Sequence, residues 1–132
     1  MIPKKLFYTD RHIWASVEGE DGNLARIGLT DFAQSEYGDI VDVDIFEPGF
    51  GLRQLDPFAN LVAVNMTTEL LSPFTGKILE RNDSLAGNPE KINRDCYGDG
   101  WMIVLELKDP DEVSSLLRHE EYADLIETKS WK

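Results

Sequence analysis

The chain has 132 residues, and its 13 lysines and arginines against 25 aspartates and glutamates give a formal net charge of −12. This acidic balance argues against binding nucleic acid, because such affinity depends on neutralising phosphates, and it favours a basic protein partner. A hydrophobic fraction of 42% argues against general disorder. The length predicts a single domain over residues 1–132. No lysine occurs between Lys5 and Lys77.

Cysteine content and targeting signals predict a cytoplasmic location. Cys96 is the only cysteine, which excludes an internal disulfide and a site with several thiolate ligands. We interpret it as a small packing residue or an incidental surface thiol. The first five residues lack the apolar segment of a signal peptide. The longest uncharged stretch, residues 57–68, is too short to cross a membrane. We therefore expect a soluble cytoplasmic protein with no membrane partner.

Apolar residues that alternate with polar ones predict mostly short strands. We expect these over residues 11–18, 24–29, 39–46, 60–64, 69–71, 77–80 and 101–108, separated by turns rich in Gly, Pro, Asn and Asp. In the third strand, Val41, Val43 and Ile45 alternate with Asp42 and Asp44. That pattern predicts one buried face and one solvated face.

Helices are predicted at three places between and after these strands. Thr30 can N-cap a short helix that ends at Gly38. A second helix is expected from Asp109, as the cap, with a proline next and Glu112 as the reciprocal acid of a capping box. Apolar residues around Tyr122 predict a last helical turn. The result is a mainly β domain with peripheral helices.

The segment from Asn82 to Gly100 is long for a loop in a compact domain, so it is either functional or held by tertiary contacts. Tyr97 and Trp101 lie in and beside it, and they are interpreted as packing residues and not as aromatic residues that stack on a ligand. Gly98-Asp99-Gly100 is predicted to be a turn before the last strand.

Single motifs identify no catalytic or metal site. The two histidines, His12 and His119, are far apart in sequence and have no partner at metal-ligand spacing and no nucleophile motif. Asp39, Asp42 and Asp44 form a candidate hydrolytic set of carboxylates. Alternating acids on a strand are, however, typical of a solvated face, and we interpret them so.

An ordered set of segments is more informative. Residues 27–34, with the sequence Ile-Gly-Leu-Thr-Asp-Phe-Ala-Gln, are followed by Gly-Asp-Ile-Val at 38–41, Glu-Pro-Gly at 47–49 and Ser-Pro-Phe-Thr-Gly at 72–76. Further matches are Asn82, Asn88-Pro89, Ile92-Asn93, Tyr97 and residues 99–103, with Leu116-Leu117 and Tyr122 after them. In order and spacing, this set resembles the glycine cleavage system H protein family over residues 6–126.

The resemblance implies a lipoyl-domain-like fold, a barrel-sandwich hybrid of two small sheets with short peripheral helices, including a C-terminal helical segment. It also implies a carrier and not an enzyme. In the family, a lysine at the tip of a β-hairpin bears lipoate. The lipoyl group carries an aminomethyl group between glycine decarboxylase, the aminomethyltransferase and the dihydrolipoamide dehydrogenase.

The sequence departs from the family at the attachment position. The lipoylated lysine lies eight residues before the proline of the return strand, here Pro73, and that position holds Asn65. The family's glutamate three residues earlier, associated with the lipoylating enzyme, is Val62. An asparagine has no nucleophilic amine, so the usual amide to lipoate cannot form. We therefore predict no cofactor.

A second departure concerns the cleft that holds the loaded arm. The family's His-Glu-Trp is His12-Ile13-Trp14 here, and Ile13 cannot pair with an ammonium group. Thr68 and Glu69 occupy the positions of the family's Ser-Asp, so part of the polar rim is kept.

Three hypotheses follow from these departures. The leading one is an H-protein homologue without lipoate that acts as an interaction or regulatory protein. Its partners would be glycine cleavage enzymes or another lipoate-dependent complex. The second is a carrier with an unconventional or non-covalent cargo. The third is a ligand-binding module in which Ile13, Val62 and Met66 enlarge an apolar patch near the cleft.

Overall fold

The computed structural model describes residues 2–129, so the ends of the predicted 1–132 domain lie outside the described residues. The strands are β1 (Phe7–Tyr8), β2 (Ile13–Glu18), β3 (Leu24–Leu29), β4 (Ile40–Ile45), β5 (Gly51–Leu52), β6 (Pro57–Ala63), β7 (Thr67–Leu71), β8 (Gly76–Arg81) and β9 (Ile103–Leu107). The helices are α1 (Asp31–Tyr37), α2 (Lys91–Arg94) and α3 (His119–Lys129), with 3₁₀ helices at Asp83–Ala86 and Pro110–Ser115.

The strands form two antiparallel sheets. The large sheet has six strands in the order β1-β2-β3-β9-β8-β5, and the small sheet has three in the order β4-β6-β7. Apolar side chains from both sheets form one buried core. The prediction of a mainly β fold with two sheets and short helices, including a C-terminal helix, is confirmed.

Each predicted strand occurs. Two short strands were not predicted, and one side chain that was predicted to be buried is exposed. β1 and β5 have two residues each, too few to show a period. Val41 was expected on the buried face of β4, and this was wrong, because its side chain is 60% exposed. The register shifts between Ile40 and Asp42, so a bulge interrupts the alternation there and leaves Val43 and Ile45 buried.

Both ends of α1 follow the prediction. Thr30 Oγ1 accepts a hydrogen bond from the backbone N of Ala33 at 3.3 Å, which caps the helix at its N-terminus. Gly38 ends the helix with φ of 81°, a conformation that favours glycine.

The segment after β9 departs from the predicted capping box. Asp109 does cap the segment, because its side chain accepts a hydrogen bond from the backbone N of Asp111. The prediction that the Glu112 side chain accepts a hydrogen bond from the backbone N of Asp109 was wrong. The Glu112 carboxylate instead accepts hydrogen bonds from the backbone N and Oγ1 of Thr75, both at 2.7 Å. This tertiary contact fastens a 3₁₀ helix, and not an α-helix, to the start of β8.

The segment 82–100 is held by tertiary contacts, as one of the two expectations stated. Asn82 Nδ2 donates to the carbonyls of Asp99 and Trp101 at 2.9 and 2.8 Å. Asn93 accepts a hydrogen bond from the backbone N of Ile40 at 2.8 Å and donates to Gly38 O at 3.1 Å. The segment therefore fixes the turn between α1 and β4.

A second apolar cluster joins the N-terminal strands to α3. Tyr8 stacks on Tyr122 with ring centroids 4.7 Å apart, and Trp14 is buried beside them. Trp14 Nε1 donates to the backbone O of Cys96 at 2.9 Å. Tyr97 packs against Trp14, so the interpretation of Tyr97 as a packing residue is supported.

Within the described residues, no helix is both long enough and apolar enough to cross a membrane.

Gly76 provides a test of the sheet packing. A Cβ at Gly76 would lie 2.2 Å from the backbone O of Glu106 on β9, whereas a Cβ at Gly87 would meet nothing within 4 Å. Overpacking against a backbone atom costs roughly 1–3 kcal/mol or more. We expect Gly76→Ala to lower the free energy of unfolding by at least that amount and Gly87→Ala to change it by less than about 0.5 kcal/mol. Denaturant unfolding measures both, and equal effects would contradict this packing.

Cys96 provides a test of whether the core shields its thiol from ionisation and chemical labelling. Burial, as the main cause, and the nearby Asp31 carboxylate raise the pKa of the Cys96 thiol to about 12. At pH 8 the native thiol is therefore almost fully protonated, and thiolate is the reactive form. We expect a disulfide reagent to label the native protein on the order of 1,000-fold more slowly than the unfolded protein. Rapid labelling of the native protein would show that the thiol is accessible and ionised.

Candidate functional site: the hairpin tip and its cleft

The candidate site is built around the β6–β7 hairpin. The two strands pair with Val62 opposite Thr67, and the backbone N of Ala63 donates to Met66 O at 2.8 Å. The turn between the strands contains Val64, Asn65 and Met66, so Asn65 lies at the tip.

The tip closes the C-terminal end of α1. The backbone N of Asn65 donates to Tyr37 O at 2.8 Å, and its side-chain Nδ2 donates to Glu36 O at 3.4 Å. These carbonyls belong to the last turn of the helix, where no backbone N–H of the helix is available to donate to them. Gly38 allows the close approach, because a Cβ there would lie 3.2 Å from Asn65 Nδ2.

The N-terminal end of α1 is fixed by a cluster of hydrogen bonds to α3. The Tyr122 hydroxyl lies 2.7 Å from Thr30 Oγ1 and 2.8 Å from His12 Nδ1. Burial raises the pKa of Tyr122 above its ordinary value, so the phenol stays neutral. His12 has φ of 69°, which is uncommon for a residue with a side chain.

A cleft of about 350 Å³ opens beside the hairpin. Thr68 and Glu69, two of the residues predicted for the arm cleft, line it. Met66, which the third hypothesis placed near the cleft, lines it as well. The other lining residues were not predicted: Asp10, Arg11, His12, Tyr37 and Leu71. These residues come from the β1–β2 turn, α1 and the hairpin, which are separate in sequence. Only the folded structure shows that they lie next to Thr68 and Glu69.

The other three predicted residues lie outside this cleft wall. Asn65 is at the tip, and Val62 is on the outer surface of the small sheet with 39% of its side chain exposed. Ile13 pairs with Leu29 in the large sheet and is fully buried in the core. The hypothesis of an apolar patch made by Ile13, Val62 and Met66 was therefore wrong for Ile13, because strand alternation turns its side chain inward.

The outer surface of the small sheet is acidic and partly apolar. Register places Asp42, Val62 and Thr67 in one row and Asp44, Asn60 and Glu69 in the next, all exposed. Val41 and Val64 extend this surface toward the tip, and Val64 is 67% exposed. We call these eight residues the hairpin-sheet face. None of β4, β6 and β7, all within the described residues, contains a lysine or arginine.

The candidate site offers charged and hydrogen-bonding side chains but no cluster of metal ligands within the described residues. Between residues 2 and 129, no group of three His, Cys, Asp or Glu side chains could hold a metal ion. The three aspartates near β4 were interpreted as part of a solvated face. All three are exposed, which supports that interpretation: Asp39, Asp42 and Asp44.

Comparisons with known proteins agree with the motif pattern. The profile of the Glycine cleavage H-protein family matches residues 6–129. A glycine cleavage system H protein from Anoxybacillus flavithermus is 46% identical over 125 residues, which is 95% of this chain and 96% of that protein. One from Bacillus subtilis is 41% identical over 126 residues, which is 96% of this chain and 97% of that protein.

The fold agrees as well. The crystal structure of a glycine cleavage system H protein from Mycobacterium marinum superimposes with a TM-score of 0.84 at 28% sequence identity, covering 93% of this chain and 97% of that chain. The predicted lipoyl-domain-like barrel-sandwich fold is thus confirmed. The chain belongs to the glycine cleavage system H protein family, whose members are carriers and not catalysts.

Proposed function

We propose that this member of the family does not carry lipoate and acts in the cytoplasm as a non-enzymatic interaction protein. Its partners are the enzymes of glycine cleavage or of another lipoate-dependent complex, and its contact surface is the hairpin-sheet face. The observation that carries the proposal is the residue at the hairpin tip, where Asn65 stands at the position that the family motif assigns to the lipoylated lysine.

The chemistry of the tip supports this proposal. The nitrogen of a carboxamide is a hydrogen-bond donor and not a nucleophile, so Asn65 does not fit a covalently held lipoyl group. The next lysine along the chain, Lys77, lies on β8 in the other sheet. The hairpin tip therefore has no side-chain amine to which lipoate could be attached.

The composition of the hairpin-sheet face supports a protein partner. Val41, Val62 and Val64 are exposed side by side at the tip end of the sheet, and Asp42, Asp44 and Glu69 border them. An exposed apolar group with a charged rim is typical of a protein contact surface. Because the rim is entirely negative, the partner surface is basic, and salt will weaken the complex.

Binding to purified enzymes tests the proposed contact. We expect the chain to bind glycine decarboxylase, the aminomethyltransferase or the dihydrolipoamide dehydrogenase in surface plasmon resonance, more weakly as salt increases. Val64→Asp places a charge among the exposed valines at the tip end of the face and should weaken binding about tenfold or more. Val17→Asp is the matched control, since Val17 is an exposed valine on β2 in the other sheet.

Binding to none of the three enzymes would contradict the proposal that glycine cleavage enzymes are the partners. Equal binding by Val64→Asp and the unmodified chain would remove the hairpin-sheet face as the contact surface.

Restoring the attachment site tests the role assigned to position 65. The backbone bond from residue 65 to Tyr37 O does not need an asparagine side chain, so lysine can replace Asn65 without loss of the turn. We expect the double variant Val62→Glu/Asn65→Lys to gain one lipoyl group when treated with a lipoate ligase, and Asn65→Lys alone to gain less. Intact mass measures the modification.

Val62→Glu/Met66→Lys is the control, because it moves the lysine one residue along the turn and should stay unmodified. Failure of the Asn65→Lys double variant to gain lipoate would mean that position 65 is not equivalent to the lipoylated lysine.

A further inference from the structure

A pocket of about 560 Å³ lies at the corner of the large sheet where β5, β8 and β9 meet, beyond the base of the β6–β7 hairpin. Register places Gly51, Lys77 and Glu106 opposite one another. Because alternate residues of a strand share a face, Arg53, Thr75 and Lys108 form the next row on that face. The backbone N of Lys108 donates to Thr75 O at 3.1 Å, which agrees with that row. The volume is typical of small-molecule sites.

The depth of this corner pocket comes partly from a missing side chain. A Cβ at Gly51 would meet nothing within 4 Å, and its backbone is paired as an ordinary strand. A side chain at this position would therefore extend into the open space beside Lys77.

Three cations line the corner pocket in a chain whose net charge is −12. These cations are Arg53, Lys77 and Lys108. In the part of the chain that the structure describes, none of the three has a carboxylate within 4.0 Å, because the ion pairs of lysine and arginine involve only Arg26, Arg81 and Arg94. The lining has only two acids to set against them.

Those two acids do not neutralise the pocket. Glu106 lies opposite Lys77 in the register, and Asp56 uses one oxygen to accept a hydrogen bond from the backbone N of Arg53 at 2.9 Å. The lining therefore carries one net positive charge. The Glu112 carboxylate lies beside the lining as a third acid, but Thr75 occupies both of its oxygens. The three cations, which have no carboxylate within 4.0 Å, are therefore the groups left to bind a ligand.

The wall of the corner pocket is fixed before any ligand arrives. Gln54 donates from its backbone N to Thr75 Oγ1 at 3.1 Å, and from Nε2 to Pro73 O and Ser115 Oγ, both at 3.0 Å. Glu112 directs both carboxylate oxygens onto Thr75. A fixed wall lowers the conformational entropy that binding must overcome.

We propose that the corner pocket binds a small organic anion with two or three carboxylates. Arg53 presents a planar fork that matches a carboxylate, and Lys77 and Lys108 supply point charges for the others. The site shares no residue with the hairpin-sheet face, so it stands independently of the function proposed above.

Citrate is the probe for this proposal. In a ¹⁵N-labelled sample at constant ionic strength, we expect citrate to shift the amide signals of Gly51, Lys77, Lys108 and their neighbours along a saturable curve. Lys77→Gln/Lys108→Gln should weaken binding more than about tenfold, since each exposed charge contributes roughly threefold to fivefold. Gly51→Val should abolish binding by filling the pocket.

Two controls separate this site from general charge effects. Lys5→Gln removes an exposed lysine outside the pocket and should bind citrate as the unmodified chain does. The dispersion of each variant's spectrum reports whether it is folded, and Val64→Asp should leave citrate binding unchanged.

Shifts that do not saturate, or equal affinity in Lys77→Gln/Lys108→Gln and the unmodified chain, would overturn the site. Tighter binding of inorganic phosphate than of citrate would overturn the assignment to carboxylates.

Discussion

The β6–β7 hairpin closes the C-terminal end of α1, and the geometry of the candidate site depends on this contact. The last carbonyls of a helix have no partner within the helix, and here Asn65 takes two of them, on Glu36 and Tyr37. The other end of α1 is fixed through Thr30 to Tyr122 on α3. The tip is thus positioned by the small sheet and, through α1, by the C-terminal helix.

This contact also explains how the fold can accept different side chains at the tip, since the backbone N–H of residue 65 makes the main hydrogen bond. The bond from the backbone of Asn65 is 2.8 Å long and independent of the side chain, whereas the side-chain bond is 3.4 Å long and exposed, so it adds little stability. The chemistry of position 65 can therefore change without disturbing the framework around it. Fold and function are separable at this residue, and the fold alone does not decide whether the chain carries a cargo.

Local signals and tertiary contacts explain which features the sequence could predict. Thr30 and Gly38 act on the helix beside them, so both caps were predictable, as were strands long enough to show a period. The bulge that exposes Val41 is a change of register with β6, and Glu112 binds Thr75, 37 residues away along the chain. Ile13 was assigned to the cleft from a motif position, but its side chain is on the inner face of β2. The cleft and the corner pocket each combine residues from separate segments, which no local pattern contains.

We propose that the chain keeps the H-protein framework without the lipoyl group. The most direct test is the intact mass of the protein purified from the organism that makes it, or from a host with active lipoylation and added lipoate. We expect the mass of the unmodified polypeptide alone. A mass increased by one lipoyl group, located to any residue of the chain by peptide sequencing, would contradict it.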